Sequence, residues 1–313
     1  MDLNDNLVDM GVQVGSLRFA NPILTAAGTF GYGVEFAKIV DLNRLGGVVT
    51  KGVSKEPLEG APPPRLHETA SGMLNAIGLQ NIGVDAFVKE RLPLLLKYNT
   101  HRIVNVFGYC LDEYVEVIRR LEDAEGISAY ELNISCPNVK RGGMQFGGDP
   151  NLVKEVVSAA RKAAARRPLW VKLSPLVTDI VSIARAAWES GADALTVANT
   201  YPAMAVDVST GRSVLGNVTG GLSGPAIKPI TLRLVWEVCK SVDVPVVALG
   251  GVETAEDVLE YMTVGASAVQ VGTASFADPR ASETIVGQLA NALKRVKVFS
   301  FREVRERFRA ENG

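Results

Sequence analysis

Short runs of apolar and β-branched residues recur along the chain, and each is followed by a longer stretch whose apolar positions return with helical spacing. The strand-like runs fall at residues 23–25, 47–50, 103–106, 130–133, 169–172, 194–197, 246–249 and 268–271. Helix-like stretches between them include 111–124, 152–165, 180–190, 227–242 and 255–263. Repeated strand–helix units lay successive strands parallel and cover them with helices. Eight of them predict an α/β fold, a closed (β/α)8 TIM barrel rather than an open sheet. The segments 191–197 and 265–271 echo each other, each a helix-ending glycine followed by a strand.

Residues 12–19 predict a small N-terminal β-hairpin closing the barrel floor, and 301–311 an amphipathic basic helix serving as a solvated outer face. No linker divides the chain, so residues 1–313 are expected to form one domain. Two stretches, 52–82 and 200–223, break the rhythm as long connections of weak period. Each follows a predicted strand and so belongs to the C-terminal face, where barrels of this kind hold their sites.

Composition narrows the function classes. Hydrophobic residues at 47% and charged ones at 21% suit a chain that buries a large core. Lys+Arg 33 against Asp+Glu 34 gives a net charge of −1, which offers no general attraction for nucleic acid or an anionic membrane. The polar, acidic N-terminus lacks the pattern of a secretory signal, and no apolar run reaches the ~18 residues that span a bilayer. A cytoplasmic protein without nucleic-acid or membrane partners is expected. The three cysteines, at 110, 136 and 239, form neither an even disulfide set nor a CxxC pair, and His67 and His101 are the only histidines, so no metal site is expected.

Candidate chemistry gathers at the strand ends. Lys51, Asn105, Asn133, Lys172 and the pair Asn199-Thr200 stand at or just beyond strands two to six and would face one mouth. A single strand-end lysine can merely snorkel to water, but five such sites on one rim argue for a bound ligand. Gly250-Gly251 and Gly272-Thr273 follow strands seven and eight, where backbone N–H groups without a Cβ can close on a phosphate. No GxGxxG follows the first strand and no GxxxxGK[ST] occurs, so neither a Rossmann site nor a P-loop is supported. Cys136 lies beyond strand four, at the head of a glycine-rich loop. There a thiol could act as nucleophile or general base; with no histidine near it in sequence, proton abstraction stays open.

Together these residues resemble class 1 dihydroorotate dehydrogenases, most closely the NAD-linked 1B catalytic subunit. The resemblance spans about residues 12–295 and rests on Asn133-Ile134-Ser135-Cys136-Pro137-Asn138-Val139-Lys140, the run Gly142 to Gly147, Asn75-Ala76-Ile77-Gly78-Leu79-Gln80-Asn81, Asn199-Thr200, Gly221-Leu222-Ser223-Gly224 and the two glycine sites. It implies an FMN enzyme of pyrimidine (UMP) biosynthesis, one FMN per chain, that oxidises dihydroorotate to orotate. Cys136 would then be the general base at C5 while the C6 hydride passes to flavin. Lys51 would touch flavin and substrate. Asn75, Ala76, Ile77, Gly78, Leu79, Asn133, Asn199 and Thr200 would hold the substrate. Ala27, Gly52, Asn105, Asn133, Ala198 and Gly224 would line the flavin, Lys172 would face its pyrimidine end, and Gly250, Gly251, Gly272 and Thr273 would hold its phosphate.

Position 27 departs from the family, in which serine is frequent, so Ala27 would contribute backbone only. A serine base and a membrane element mark class 2, and neither is found here. The 1B branch implies a homodimer core joined by a second subunit carrying FAD and a 2Fe–2S cluster, a heterotetramer that passes electrons to NAD. The alternatives are a fumarate-linked class 1A enzyme, another flavin barrel acting on reduced pyrimidines such as dihydrouracil, and a non-catalytic barrel that binds a phosphorylated ligand or a protein.

Overall fold

The computed structural model describes residues 8–135 and 146–312. Cys136 and the glycine-rich loop after it, 136–145, lie outside the described residues.

Eight parallel strands close into a barrel: Ile23–Thr25, Gly47–Val49, His101–Val106, Ala129–Asn133, Leu169–Lys172, Ala194–Val197, Val246–Leu249 and Ala268–Val271. Each pairs with its neighbours in sequence, and the eighth returns to the first with Gln270 beside Leu24. The eight predicted runs are these eight strands, with ends shifted by at most two residues. The first six strands are buried throughout, because helices cover one face and the barrel interior the other. The N-terminal end of His101–Val106 is the exception, being only partly buried.

Several helices start where the sequence provides a cap. Asp149 accepts from the N–H groups of Asn151 and Leu152 to open Pro150–Ala163, Asp179 does the same for Ile180–Glu189, and Thr254 with Asp257 forms a capping box on Ala255–Thr263. The first connection departs from the expected repeat. Two 3₁₀ turns, Val34–Phe36 and Leu42–Arg44, stand where an α-helix is expected, and the Phe30 and Phe36 rings stack at 4.4 Å beside them.

The barrel floor is apolar. The hairpin strands Val12–Val14 and Leu17–Phe19 pair antiparallel across a turn in which Gly15 takes φ 58. Val14 and Phe19 are thereby inserted among Leu24, Ile103, Trp170 and Val247, and the Phe19 ring lies 4.4 Å from His101 and 6.2 Å from Trp170. The predicted hairpin does close the floor.

The long connections are more ordered than their sequence suggests. Leu66–Thr69 and Gly72–Asn75 from the first join Tyr201–Ala203 and Gly220–Ser223 from the second in one four-stranded antiparallel sheet. A further pair, Val206–Asp207 with Arg212–Ser213, extends from it. Two segments about 150 residues apart in sequence are thus one structural unit above the barrel mouth. The C-terminal helix, Phe301–Asn312, also corrects the reading of it as an outer face. Phe301 and Val304 are buried, the helix packs on Ala255–Thr263, and Arg305 Nη2 donates to the Ala266 carbonyl at 2.8 Å. Among the described residues no helix is long and apolar enough to cross a membrane.

Candidate active site

Alternation along a strand puts residues i and i+2 on one face, so each inward residue of the apolar floor has an inward neighbour one storey higher. Above Ile103 stands Asn105, above Ala129 Glu131 and then Asn133, above Trp170 Lys172, above Ala194 Thr196, and above Ala268 Gln270. This upper storey is polar. The Glu131 carboxylate, with no exposure to solvent, accepts from Asn105 Nδ2 at 2.7 Å, Thr196 Oγ1 at 2.8 Å and Gln270 Nε2 at 2.6 Å.

Lys172, 4% exposed, lies in register between Asn133 and Thr196. Burial pushes its ammonium below the usual lysine range, and the nearby Glu131 charge pulls it back up. No group among the described residues hydrogen-bonds its Nζ.

The rim of strands four to six is wired together. Asn133 Oδ1 accepts from Ser135 Oγ at 2.8 Å, and Ser135 Oγ accepts from Asn199 Nδ2 at 2.5 Å. Tyr114 Oη donates to the Asn133 carbonyl, and Asn199 Oδ1 receives the Thr200 N–H at 2.8 Å. The four-stranded sheet completes this cluster. Asn75 pairs with Gly221 and donates Nδ2 to its carbonyl at 3.2 Å, while a Cβ on Gly221 would collide with the Thr200 side chain. Only glycine lets Asn75 and Thr200 approach from the two sides of that position.

Beyond Asn75, the segment through Ala76 and Ile77 turns back at Gly78, φ 71, and Leu79, φ 59. The Ile77 carbonyl holds Ala61 N–H, and Asn81 clasps the turn by accepting from Ser54 and Gly83 and donating to Leu79. Lys51, half-buried, reaches Gln80 Oε1 at 3.5 Å, and burial lowers the pKa of its ammonium. Gly52 sits against the Asn105 side chain, whose Oδ1 would lie 3.1 Å from an added Cβ.

The glycines after strands six, seven and eight also meet. Gly224, φ 92, and Gly251, φ 67, are so close that a Cβ on Gly251 would lie 2.8 Å from the Gly224 carbonyl oxygen. Thr273 Oγ1 donates to Ser223 Oγ at 2.7 Å, and the Gly250 carbonyl is held by Tyr261 Oη at 2.6 Å. A Cβ on Gly272 would meet Ala26, Leu249 and Thr29 only at ordinary van der Waals distance, 3.4 Å or more. Ala198 is buried at the end of strand six and Ala27 half-buried beyond strand one.

The sequence-derived candidates gather in two clusters: an amide-rich one around Asn75, Asn133, Asn199 and Thr200, and a glycine one around Gly224, Gly250, Gly251 and Thr273. Lys51, Asn105 and Lys172 belong to the barrel end between them. Cys136 is one residue beyond Ser135 and outside the described residues. Glu131, Thr196, Gln270 and Ser135 were not anticipated. Glu131 did leave a signal, because a carboxylate two residues before Asn133 in a buried strand must face the same interior.

Comparison with known proteins decides what this arrangement belongs to. The family model described as dihydroorotate dehydrogenase matches residues 10–293. This chain belongs to the dihydroorotate dehydrogenase family. Within that family it is 55% identical over 276 residues to the "Dihydroorotate dehydrogenase B (NAD(+)), catalytic subunit" of Trichlorobacter lovleyi, covering 88% of this chain and 90% of the relative. It is 54% identical over 286 residues to a Solibacter usitatus protein provisionally named dihydroorotate dehydrogenase A (fumarate), covering 91% and 94%. A solved DHODH chain from Eimeria tenella, in complex with ferulenol, superposes with a TM-score of 0.78 at 24% identity, over 97% of this chain and 89% of that one, a likeness of fold. The TIM barrel expected from the strand pattern is the dihydroorotate dehydrogenase barrel.

Proposed function

We propose that this chain is the catalytic subunit of an NAD-linked dihydroorotate dehydrogenase, which oxidises dihydroorotate to orotate in pyrimidine biosynthesis with one FMN bound at the barrel mouth. The observation that supports this most is the meeting of Asn75, Asn133, Asn199 and Thr200 at one barrel end with two lysines, Lys51 half-buried and Lys172 buried. A planar anionic substrate with ring N–H groups and carbonyl oxygens suits side-chain amides, which donate and accept, beside a lysine of opposite charge.

The residues present fit FMN. A buried cation at Lys172 suits a ring system that gains negative charge on reduction, and the Gly224–Gly251 approach, too close for a Cβ at position 251, brings two loop backbones together near Thr273. Ala27, Lys51, Gly52, Asn105, Asn133, Lys172 and Ala198 would face the isoalloxazine. Gly224 would line the flavin as well, and Gly250, Gly251, Gly272 and Thr273 would hold its phosphate. When bound, FMN supplies the acceptor for the hydride lost from substrate C6. The chain's own residues do the rest. Cys136 takes the C5 proton, Lys51 and the amides of Asn75, Asn133 and Asn199 orient the carboxylate and ring with Thr200, and the backbone of Ala76 to Leu79 shapes the substrate wall.

The electrons leave through a second subunit. This chain has three cysteines, one fewer than the four thiolates of a 2Fe–2S cluster, which agrees with an FAD and iron–sulfur partner assembled on a homodimer of this chain. The name of the Trichlorobacter relative points the same way, and that of the Solibacter relative keeps the fumarate-linked reading as the second one. An acceptor assay separates them. Dihydroorotate-dependent NADH formation should appear only when the electron-transfer subunit is added; rapid fumarate reduction by this chain alone would instead establish the class 1A reading.

A further inference from the structure

Glu131 is the only fully buried carboxylate among the described residues, and nothing in the reading above uses it. Its three donors come from three different strands, Asn105 from strand three, Thr196 from strand six and Gln270 from strand eight. With Glu131 itself on strand four and Lys172 on strand five, one polar layer ties five of the eight strands directly above the apolar floor. Well-packed apolar residues of similar volume would stabilise a barrel interior as well as buried charged groups do or better, so this layer is poorly explained as a device for stability. Its place is more telling. The layer contains Asn105 and Lys172, both of which line the proposed flavin site, and Lys172 adjoins the amide cluster through Asn133 on the neighbouring strand.

We propose that Glu131 is a positioning residue of the cofactor site: its carboxylate supplies the countercharge that keeps Lys172 an ammonium inside the barrel, and it fixes the Asn105 amide, so that the flavin ring meets a set charge and a set donor–acceptor pattern. The inference rests on the flavin reading given under Proposed function. Glu131 is the only charged group among the described residues that acts on Lys172; Asn133 and Thr196, which flank Lys172 on the adjoining strands, and Asn105 and Gln270 beyond them are uncharged.

The substitution E131Q isolates the charge. The Gln270 amide, which now donates Nε2 to Glu131, can turn over to present its unpartnered Oε1 to the new amide N–H, so a hydrogen-bonded layer is kept while the anion is lost. Without the anion the charged form of Lys172 is less favoured, its pKa falls further, and it becomes neutral as pH rises. The readout is the reduction potential of bound FMN as a function of pH between about 6 and 9, recorded beside FMN affinity and thermal melting. In the parent protein the potential should follow one slope. In E131Q it should bend downward with rising pH, by one additional proton per flavin reduced, and K172M should abolish the bend when combined with E131Q.

A purely structural role would lower the melting temperature of E131Q and leave its potential–pH curve parallel to that of the parent, which would overturn the proposal. If E131Q does not fold, the double variant E131Q/K172M should, because it no longer buries an unpaired charge, and failure of the double variant would equally overturn it. Loss of the underlying reading looks different, since the parent protein would then bind no flavin or would not be reduced by dihydroorotate.

Discussion

Replacement of Cys136 by Ala is expected to leave FMN bound and to cut dihydroorotate oxidation near neutral pH by about 10²–10⁴-fold, the range over which a positioned general base contributes. The thiol is attached where the rim is most firmly held. Its chain neighbour Ser135 is locked between Asn133 and Asn199, so the root of the segment is fixed to strands four and six together. A base must be deprotonated to take a proton, so turnover of the parent enzyme should rise with pH as the thiol ionises. The alanine variant should lack this rise. Steady-state rates across pH, with flavin content measured in the same samples, check both statements, and full turnover by the variant would remove Cys136 from the base role.

A second large effect is expected at Lys172. Lys172→Ala should make bound FMN harder to reduce, because the fixed cation that favours charge on the reduced ring is gone. It should also destabilise the fold, because truncating a side chain that is 4% exposed opens a cavity in the barrel interior. Lys172→Met, which restores much of the volume, separates the two: the potential should stay low while part of the stability returns. Potentiometric titration and chemical denaturation measure the two quantities independently. A flavin potential equal to that of the parent would contradict the placement of Lys172 under the ring.

The barrel was legible from the sequence because each strand is a compact apolar run in front of a helix with a clear period and, in several cases, a capping residue such as Asp149, Asp179 or Thr254. The rim was legible for a related reason. Lysine and asparagine stand out at the ends of apolar strands, and Asn75, Asn133, Asn199 and Thr200 do come together in the fold. The four-stranded sheet above the mouth was not legible. Its strands are short, Gly220–Ser223 is half glycine, and each pairs with a segment far away, so nothing local marks it.

The Glu131 layer was hidden differently. Its partners sit on strands three, six and eight, and only closure of the barrel brings Gln270 within 2.6 Å of a residue 139 positions earlier. The C-terminal helix misled because its apolar stripe is narrow. Phe301 and Val304 are enough to dock it on Ala255–Thr263 although charged residues surround them.

The most direct test of the proposed activity is an anaerobic absorption spectrum of the purified chain before and after addition of dihydroorotate, with dihydrouracil as control. Bleaching of a flavin band near ~450 nm by dihydroorotate, and not by dihydrouracil, is the expected result, since the cofactor takes up the electrons the substrate loses. A bound flavin that dihydroorotate leaves oxidised would contradict the substrate assignment, and a colourless chain that takes up no FMN would contradict the flavin site itself.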